Sequence, residues 1–197
     1  MSTTLIPTKP PRTLWPDARL VRECRKGSEE AWSALVDKYK NLIYSIPLKY
    51  GLTPDDASDI FQSVCLEVLS QLETLREPRA LPKWIMQITA HKSYHWKRLQ
   101  SRSTPLEDDE QPVRPGILPP NAEGILRETE QEQHLREAIA ALPPRCAQLV
   151  QMLFFDEPAV PYTEVAKRLG IATGSIGFIR GRCLKRLRKQ LETPGRT

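Results

Sequence analysis

The stretch "GIATGSIGFIRGRCLKRLRKQL", from Gly170 to Leu191, holds the residues best suited to chemistry with a partner. At ~100° per residue, Ile176, Ile179, Cys183, Leu184, Leu187 and Leu191 fall in one apolar sector of a helix. Opposite them lie Gly174, Gly177, Gly181, Phe178, Arg182, Lys185, Arg188 and Lys189. A glycine inside a helix costs about 1 kcal/mol relative to alanine. Here the glycines share the outward face with positive charge. Missing side chains let a partner approach the backbone, and a duplex major groove lined by phosphates fits both features. The candidate contacts are Ser175, Gly177, Phe178, Gly181, Arg182, Lys185 and Arg186. Phe178 suits a thymine methyl and Arg182 a guanine edge. Lys185, Arg186, Arg188 and Lys189 suit phosphates or plain solvation. The competing account of the glycines is tight packing against another protein helix.

A second stretch, "KWIMQITAHKSYHWKRLQSR" from Lys83 to Arg102, has five Lys or Arg and no acid. His91, Tyr94, His95 and Trp96 lie among Lys92, Lys97 and Arg98. Aromatic rings beside positive charge suit single-stranded nucleic acid, where bases stack and phosphates are neutralised. Trp84 and Ile88 read as core, and Tyr94 and Trp96 divide between core and contact. His91 and His95 are four apart, but no third ligand is evident and the H-E-x-x-H pattern is absent. No nucleophile elbow, P-loop or dinucleotide-binding glycine pattern occurs. No metal, cofactor or catalytic centre is expected, and an enzyme is the weakest reading.

These stretches must be positioned by helices. The chain has 197 residues, a formal net charge of +5 and 40% hydrophobic residues, enough for one domain or two small ones. A basic balance is compatible with nucleic acid without requiring it. Residues 1–16 contain Pro7, Pro10, Pro11 and Pro16 and read as a disordered arm. From Asp17 the pattern is helical, with Leu20, Val21 and Cys24 before Gly27. Ser28 is placed to cap a helix that buries Ala31, Trp32, Leu35, Val36 and Tyr39, and Pro47 is expected to kink or break it. Thr53-Pro54-Asp55-Asp56 starts another helix, with a cap, a first-turn proline and two acids at the positive end of the dipole. That helix turns Ala57, Ile60, Phe61, Val64, Cys65 and Val68 inward and Asp56, Asp59, Gln62 and Ser63 outward. A further helix starts near Lys83.

Residues 101–120 hold five prolines and the acidic run Glu107 to Glu110, the marks of an extended tether. Helical pattern resumes around Ile125. Pro143-Pro144 ends one helix and opens another. A short amphipathic helix, Tyr162–Leu169, then stops at Gly170. Helix, glycine-containing turn and helix make a helix-turn-helix, with a plain helical hairpin as the alternative. The expected fold is all-α: two small helical domains at 17–100 and 125–192, joined by a flexible Pro-rich acidic linker over 101–124. The four cysteines, Cys24, Cys65, Cys146 and Cys183, show no C-x-x-C pair and read as small buried residues in a reducing compartment, without disulfides. No signal peptide or membrane span is evident, so a cytoplasmic protein is expected.

In their order, four segments resemble the extracytoplasmic-function sigma factors of bacterial RNA polymerase. They are "DARLVRECRKGSEEAWSALVDKY", "DDASDIFQSVCLEVL", "LPKWIMQITAHKSYHWKR" and "ALPPRCAQLVQMLFF…YTEVAKRLGIATGSIGFIRGRCLKRLRKQL". The resemblance implies that Asp56, Asp59 and Gln62 dock on the polymerase core. It implies that His91, Lys92, Tyr94, His95, Trp96, Lys97 and Arg98 open and read the −10 element, and that the last helix reads the −35 element. The implied partners are the core enzyme, at its β′ clamp and β flap, and promoter DNA, both duplex and single-stranded. An anti-sigma factor is a further implied partner class, and the tether would run toward the RNA exit path. The sequence departs from the family pattern at Ser63, where an acid is usual, at His91 for asparagine, at His95 for aspartate, and at Gly177-Phe178-Ile179. The alternatives are an ordinary helix-turn-helix regulator and a polymerase-binding adaptor without promoter recognition.

Overall fold

The computed structural model describes residues 15–100, 119 and 121–192. The expected arm up to residue 14 and the acidic run of the tether lie outside the described residues. Those described form eight α-helices and no strand: α1 (Asp17–Arg25), α2 (Glu29–Lys49), α3 (Pro54–Gln71), α4 (Leu81–Gln100), α5 (Ala122–Ala140), α6 (Pro144–Phe154), α7 (Tyr162–Leu169) and α8 (Ile176–Glu192). They divide into two compact units, with the boundary between Gln133 and His134.

In the first unit α2, α3 and α4 pack on one another, and α1 packs on α2. The core holds Leu35, Tyr39, Leu42, Ile43 and Ile46 of α2, Ile60, Val64 and Val68 of α3, and Leu81, Ile85 and Ile88 of α4. The starts of these helices follow local chemistry. The Ser28 hydroxyl accepts from the Ala31 amide. At α3, Thr53 and Asp56 form a reciprocal capping box that satisfies the amides of both, and Pro54 at the first helical position has no amide to leave orphaned. The buried hydroxyls of Thr89 and Ser93 donate to carbonyls one turn earlier, at 2.8 and 2.7 Å.

Three expectations change in this unit. Pro47 does not break α2, which runs on to Lys49 with Pro47 buried. So near the end of a helix a proline removes one donor, and burial of Leu42, Ile43 and Ile46 offsets that loss. Trp15, assigned to the arm, is 3% exposed and belongs to the core. It directly precedes the Pro16 cap and shares the core with Leu20, the spacing of a hydrophobic staple. Finally, α5 begins at Ala122, inside the expected linker, and its first half belongs to this unit. Lys49 donates to Glu132 at 2.9 Å and Gln133 to the Lys38 carbonyl at 3.2 Å.

A buried polar cluster ties α1 to α2. Asp17 pairs with Lys38 at 2.8 Å and accepts from the Tyr39 hydroxyl at 2.6 Å. The two charged side chains are only 6% and 13% exposed, with Lys38 the more buried.

The second unit packs α6, α7 and α8 around Leu149, Val150, Val165, Ala166, Leu169, Ile176, Cys183 and Leu187. Gly170 takes φ +62, and the Ile171 and Gly170 amides return to the carbonyls of Ala166 and Lys167, so α7 ends in a Schellman motif. Cys146 of α6 and Cys183 of α8 form a disulfide, which corrects the expectation of four free thiols. Packing of α6 on α8 sets their Cα atoms 5.3 Å apart, inside bridging range. Cys24 and Cys65 remain free thiols, and burial pushes Cys24 up to about 11. Among the described residues, no helix is long and apolar enough to cross a membrane.

Candidate nucleic-acid interface and docking face

Helices α7 and α8 are joined by a turn over Gly170–Ser175, with the 3₁₀ segment Thr173–Ser175 leading into α8. Two contacts set the pair. Arg145 of α6 donates to the Leu169 carbonyl at 3.2 Å, at the negative end of α7. Arg180 of α8 donates to the Tyr162 hydroxyl at 2.6 Å. Ile176, Cys183 and Leu187 are buried and Ile179 partly so. Leu184 and Leu191, expected in the same buried sector, stay 36% exposed because they lie on one flank of that stripe.

The opposite face of α8 is open. Ser175, Gly177, Phe178, Gly181, Arg182, Lys185 and Arg186 are all exposed. A Cβ built at Gly177 or Gly181 meets no atom within 4 Å among the described residues. The glycines therefore serve no packing within this domain. Phe178 is 70% exposed, with the Arg182 guanidinium 5.6 Å from its ring centroid. A guanidinium over a ring is held by the quadrupole while keeping its in-plane donors available. The face thus offers a glycine-lined backbone, one large ring and a fork of donors, flanked by Lys185, Arg186 and Arg188.

On the first unit, α4 brings its aromatic and basic residues together, but several are also committed within the domain. Tyr94, Trp96 and Trp84 pack against the core while remaining partly exposed. His91, His95 and Arg98 are half-buried. Lys92 pairs with Glu67 of α3 at 2.7 Å, and Lys97, exposed, donates to the Tyr50 carbonyl at 2.6 Å. The Trp96 indole N–H donates to Asp56 Oδ1 at 2.8 Å, and Gln100 Nε2 donates to the same oxygen at 3.0 Å. No sequence pattern marks the Glu67 and Gln100 partnerships, since each depends on how α3 and α4 pack.

The residues expected to dock on the core fall into two kinds. Asp59 and Gln62 are exposed on α3. They share a stripe with Leu66 and Leu69, 69% and 56% exposed, which are not among the docking residues expected from the sequence. Their i, i+3, i+7 and i+10 spacing from Asp59 could have shown them. Apolar side chains left outward beside polar ones are the composition of a protein-binding face. Asp56 differs, since it is half-buried and both its oxygens are engaged within the domain. Hydrogen bonds from the Thr53 hydroxyl and amide, then from Gln100 and Trp96, hold its carboxyl at about 2.

Two family descriptions match the chain, Sigma-70 region 2 over residues 35–103 and Sigma-70 region 4 over residues 138–189. The first takes in α3 and α4, and the second α6 to α8. The sigma factor SigV of Bacillus subtilis is 26% identical over 156 residues, covering 79% of this chain and 88% of that protein. The ECF sigma factor SigW of the same organism is 23% identical, over 87% of this chain and 94% of that one. A solved structure of CnrH in complex with the cytosolic domain of CnrY aligns with 15% identity and a TM-score of 0.37, over 92% of this chain and 100% of that one. With a region 2 unit carrying an aromatic, basic helix and a region 4 unit ending in an open, glycine-lined helix, this chain belongs to the extracytoplasmic-function sigma factors.

Proposed function

We propose a division of labour between the two units within the established role of a sigma factor, which binds RNA polymerase core and directs promoter-specific initiation. Helix α8 lies in the major groove of the −35 element. Gly177 and Gly181 let the backbone come close, Phe178 and Arg182 contact base edges, and Ser175, Lys185 and Arg186 contact phosphates. Helix α4 faces the −10 element. There Tyr94 and Trp96 receive unstacked bases, and His91, Lys92, His95, Lys97 and Arg98 supply polar and charged contacts to the strand. The exposed stripe of α3, Asp59 and Gln62 with Leu66 and Leu69, docks on the polymerase clamp. The protein works in the cytoplasm and is not itself an enzyme; bond formation belongs to the polymerase.

The open glycine–arginine face of α8 supports this reading most strongly. Nothing described in the domain fills it, and its charge and shape suit a duplex. The docking assignment is tested by Asp59→Arg. Asp59 is exposed, so the variant keeps the helical circular dichroism of the native chain while its affinity for core enzyme falls at least tenfold. Unchanged core affinity would remove α3 from the docking face.

A further inference from the structure

We propose that Asp56 is a positioning residue for Trp96: it orients the indole that receives a −10 base and takes no part in docking on the polymerase. The inference rests on the reading of α4 as the −10 helix. It departs from the family pattern, which groups Asp56 with Asp59 and Gln62.

The geometry separates the three residues. Asp59 and Gln62 point outward, whereas Asp56 stands at the third position of α3 with each oxygen given a different task. Oδ2 accepts from the Thr53 amide at 3.0 Å and the Thr53 hydroxyl at 2.7 Å, and so holds the start of α3. Oδ1 accepts from the Trp96 indole at 2.8 Å and the Gln100 amide at 3.0 Å, forty and forty-four residues further along. A carboxylate with four donors has little acceptor capacity left for a second protein. Its low pKa keeps it charged, and a charged acceptor makes the stronger bond. An indole has a single polar hydrogen. Once Nε1 is directed at Asp56, rotation of the ring about its side-chain bonds is restricted, and the exposed part of the ring is set for stacking. Gln100, one turn after Trp96, bonds the same oxygen and steadies the end of α4. Tyr94, near Trp96 on the same helix, has no such tether among the bonds described, so the two rings are expected to respond differently.

The test uses the full chain and four variants: Asp56→Asn, Trp96→Ala, their combination, and Gln100→Leu, which leaves the Thr53 cap untouched. Three quantities are read: affinity for core enzyme, affinity of the reconstituted holoenzyme for a single-stranded −10 oligonucleotide, and the Trp96 indole proton resonance, assigned by its loss in Trp96→Ala. Asp56→Asn is expected to keep core affinity within about twofold and to lose oligonucleotide affinity by about tenfold, the scale of one base–aromatic stack. It is also expected to move the indole resonance upfield. Added to Trp96→Ala, it should cost nothing more. Gln100→Leu should show a weaker form of the same pattern, which guards against misfolding of α3 in Asp56→Asn. Loss of core affinity in Asp56→Asn with the fold intact would overturn the proposal and return Asp56 to the docking face. So would additive effects of Asp56→Asn and Trp96→Ala on the oligonucleotide. If Trp96→Ala itself leaves oligonucleotide binding unchanged, the reading of α4 at the −10 strand fails together with the purpose given to Asp56. If Trp96→Ala weakens binding and Asp56→Asn does not, only the positioning role fails.

Discussion

Replacing Gly181 with alanine should make this protein more stable and worse at reading its −35 element. Gly181 is the sixth residue of α8, and an added Cβ meets nothing within 4 Å. The methyl group therefore brings no clash, and the helix gains about 1 kcal/mol of intrinsic propensity. In a domain of this size that raises the melting temperature by roughly 4–8 °C. All four tryptophans, Trp15, Trp32, Trp84 and Trp96, lie in the first unit. Tryptophan fluorescence thus follows the first unit as an internal control, and far-ultraviolet circular dichroism reports the gain in the second. The same methyl stands where the duplex must approach, so affinity for −35 duplex should fall by about tenfold, the scale of one good base contact. Gly181→Leu should cost more binding without further stabilisation. Gly177, in the first turn of α8, should show the binding loss with a smaller stability gain. If Gly181→Ala and Gly181→Leu both bind duplex as well as the native chain, the open face of α8 does not meet DNA.

Arg182→Ala should weaken specific −35 binding by about 1–3 kcal/mol and relax sequence preference, measured by competition with random duplex; equal loss on both would make Arg182 a phosphate contact. Asp17→Ala removes the carboxylate that pairs with the buried Lys38 ammonium and accepts from the Tyr39 hydroxyl, so urea unfolding of the first unit should show a loss of about 3–5 kcal/mol, and a loss under 1 kcal/mol would refute the pairing. Peptide mapping without reductant should find Cys146 joined to Cys183 and Cys24 and Cys65 free, whereas four free thiols would contradict the bridge.

What could be read from the sequence was local. Thr53 to Asp56 announces the start of α3 because a cap, a proline and an acid act within one turn. Gly170 announces the end of α7 because φ +62 suits glycine. The exposed face of α8 follows from helical period alone. What could not be read depends on packing between distant segments. Asp56 and Trp96 are forty residues apart, and an outward position on a helical projection cannot reveal that α4 comes to meet it. Cys146 and Cys183 carry no spacing signal, since only the packing of α6 on α8 brings them within range. Pro47 does not end α2 because its cost depends on position: mid-helix it would break α2, but close to the end a buried core outweighs one lost bond. Period also fails at the margins, as at Leu184, where a residue on the flank of an apolar stripe stays exposed if no neighbour reaches it.

The most direct measurement is run-off transcription. Purified chain is added to sigma-free core polymerase on pooled genomic fragments of the host, and start sites are mapped. The account predicts discrete start sites that require this chain, share two upstream elements, and vanish with Asp59→Arg. Core binding without start sites, or specific duplex binding without core binding, would contradict it.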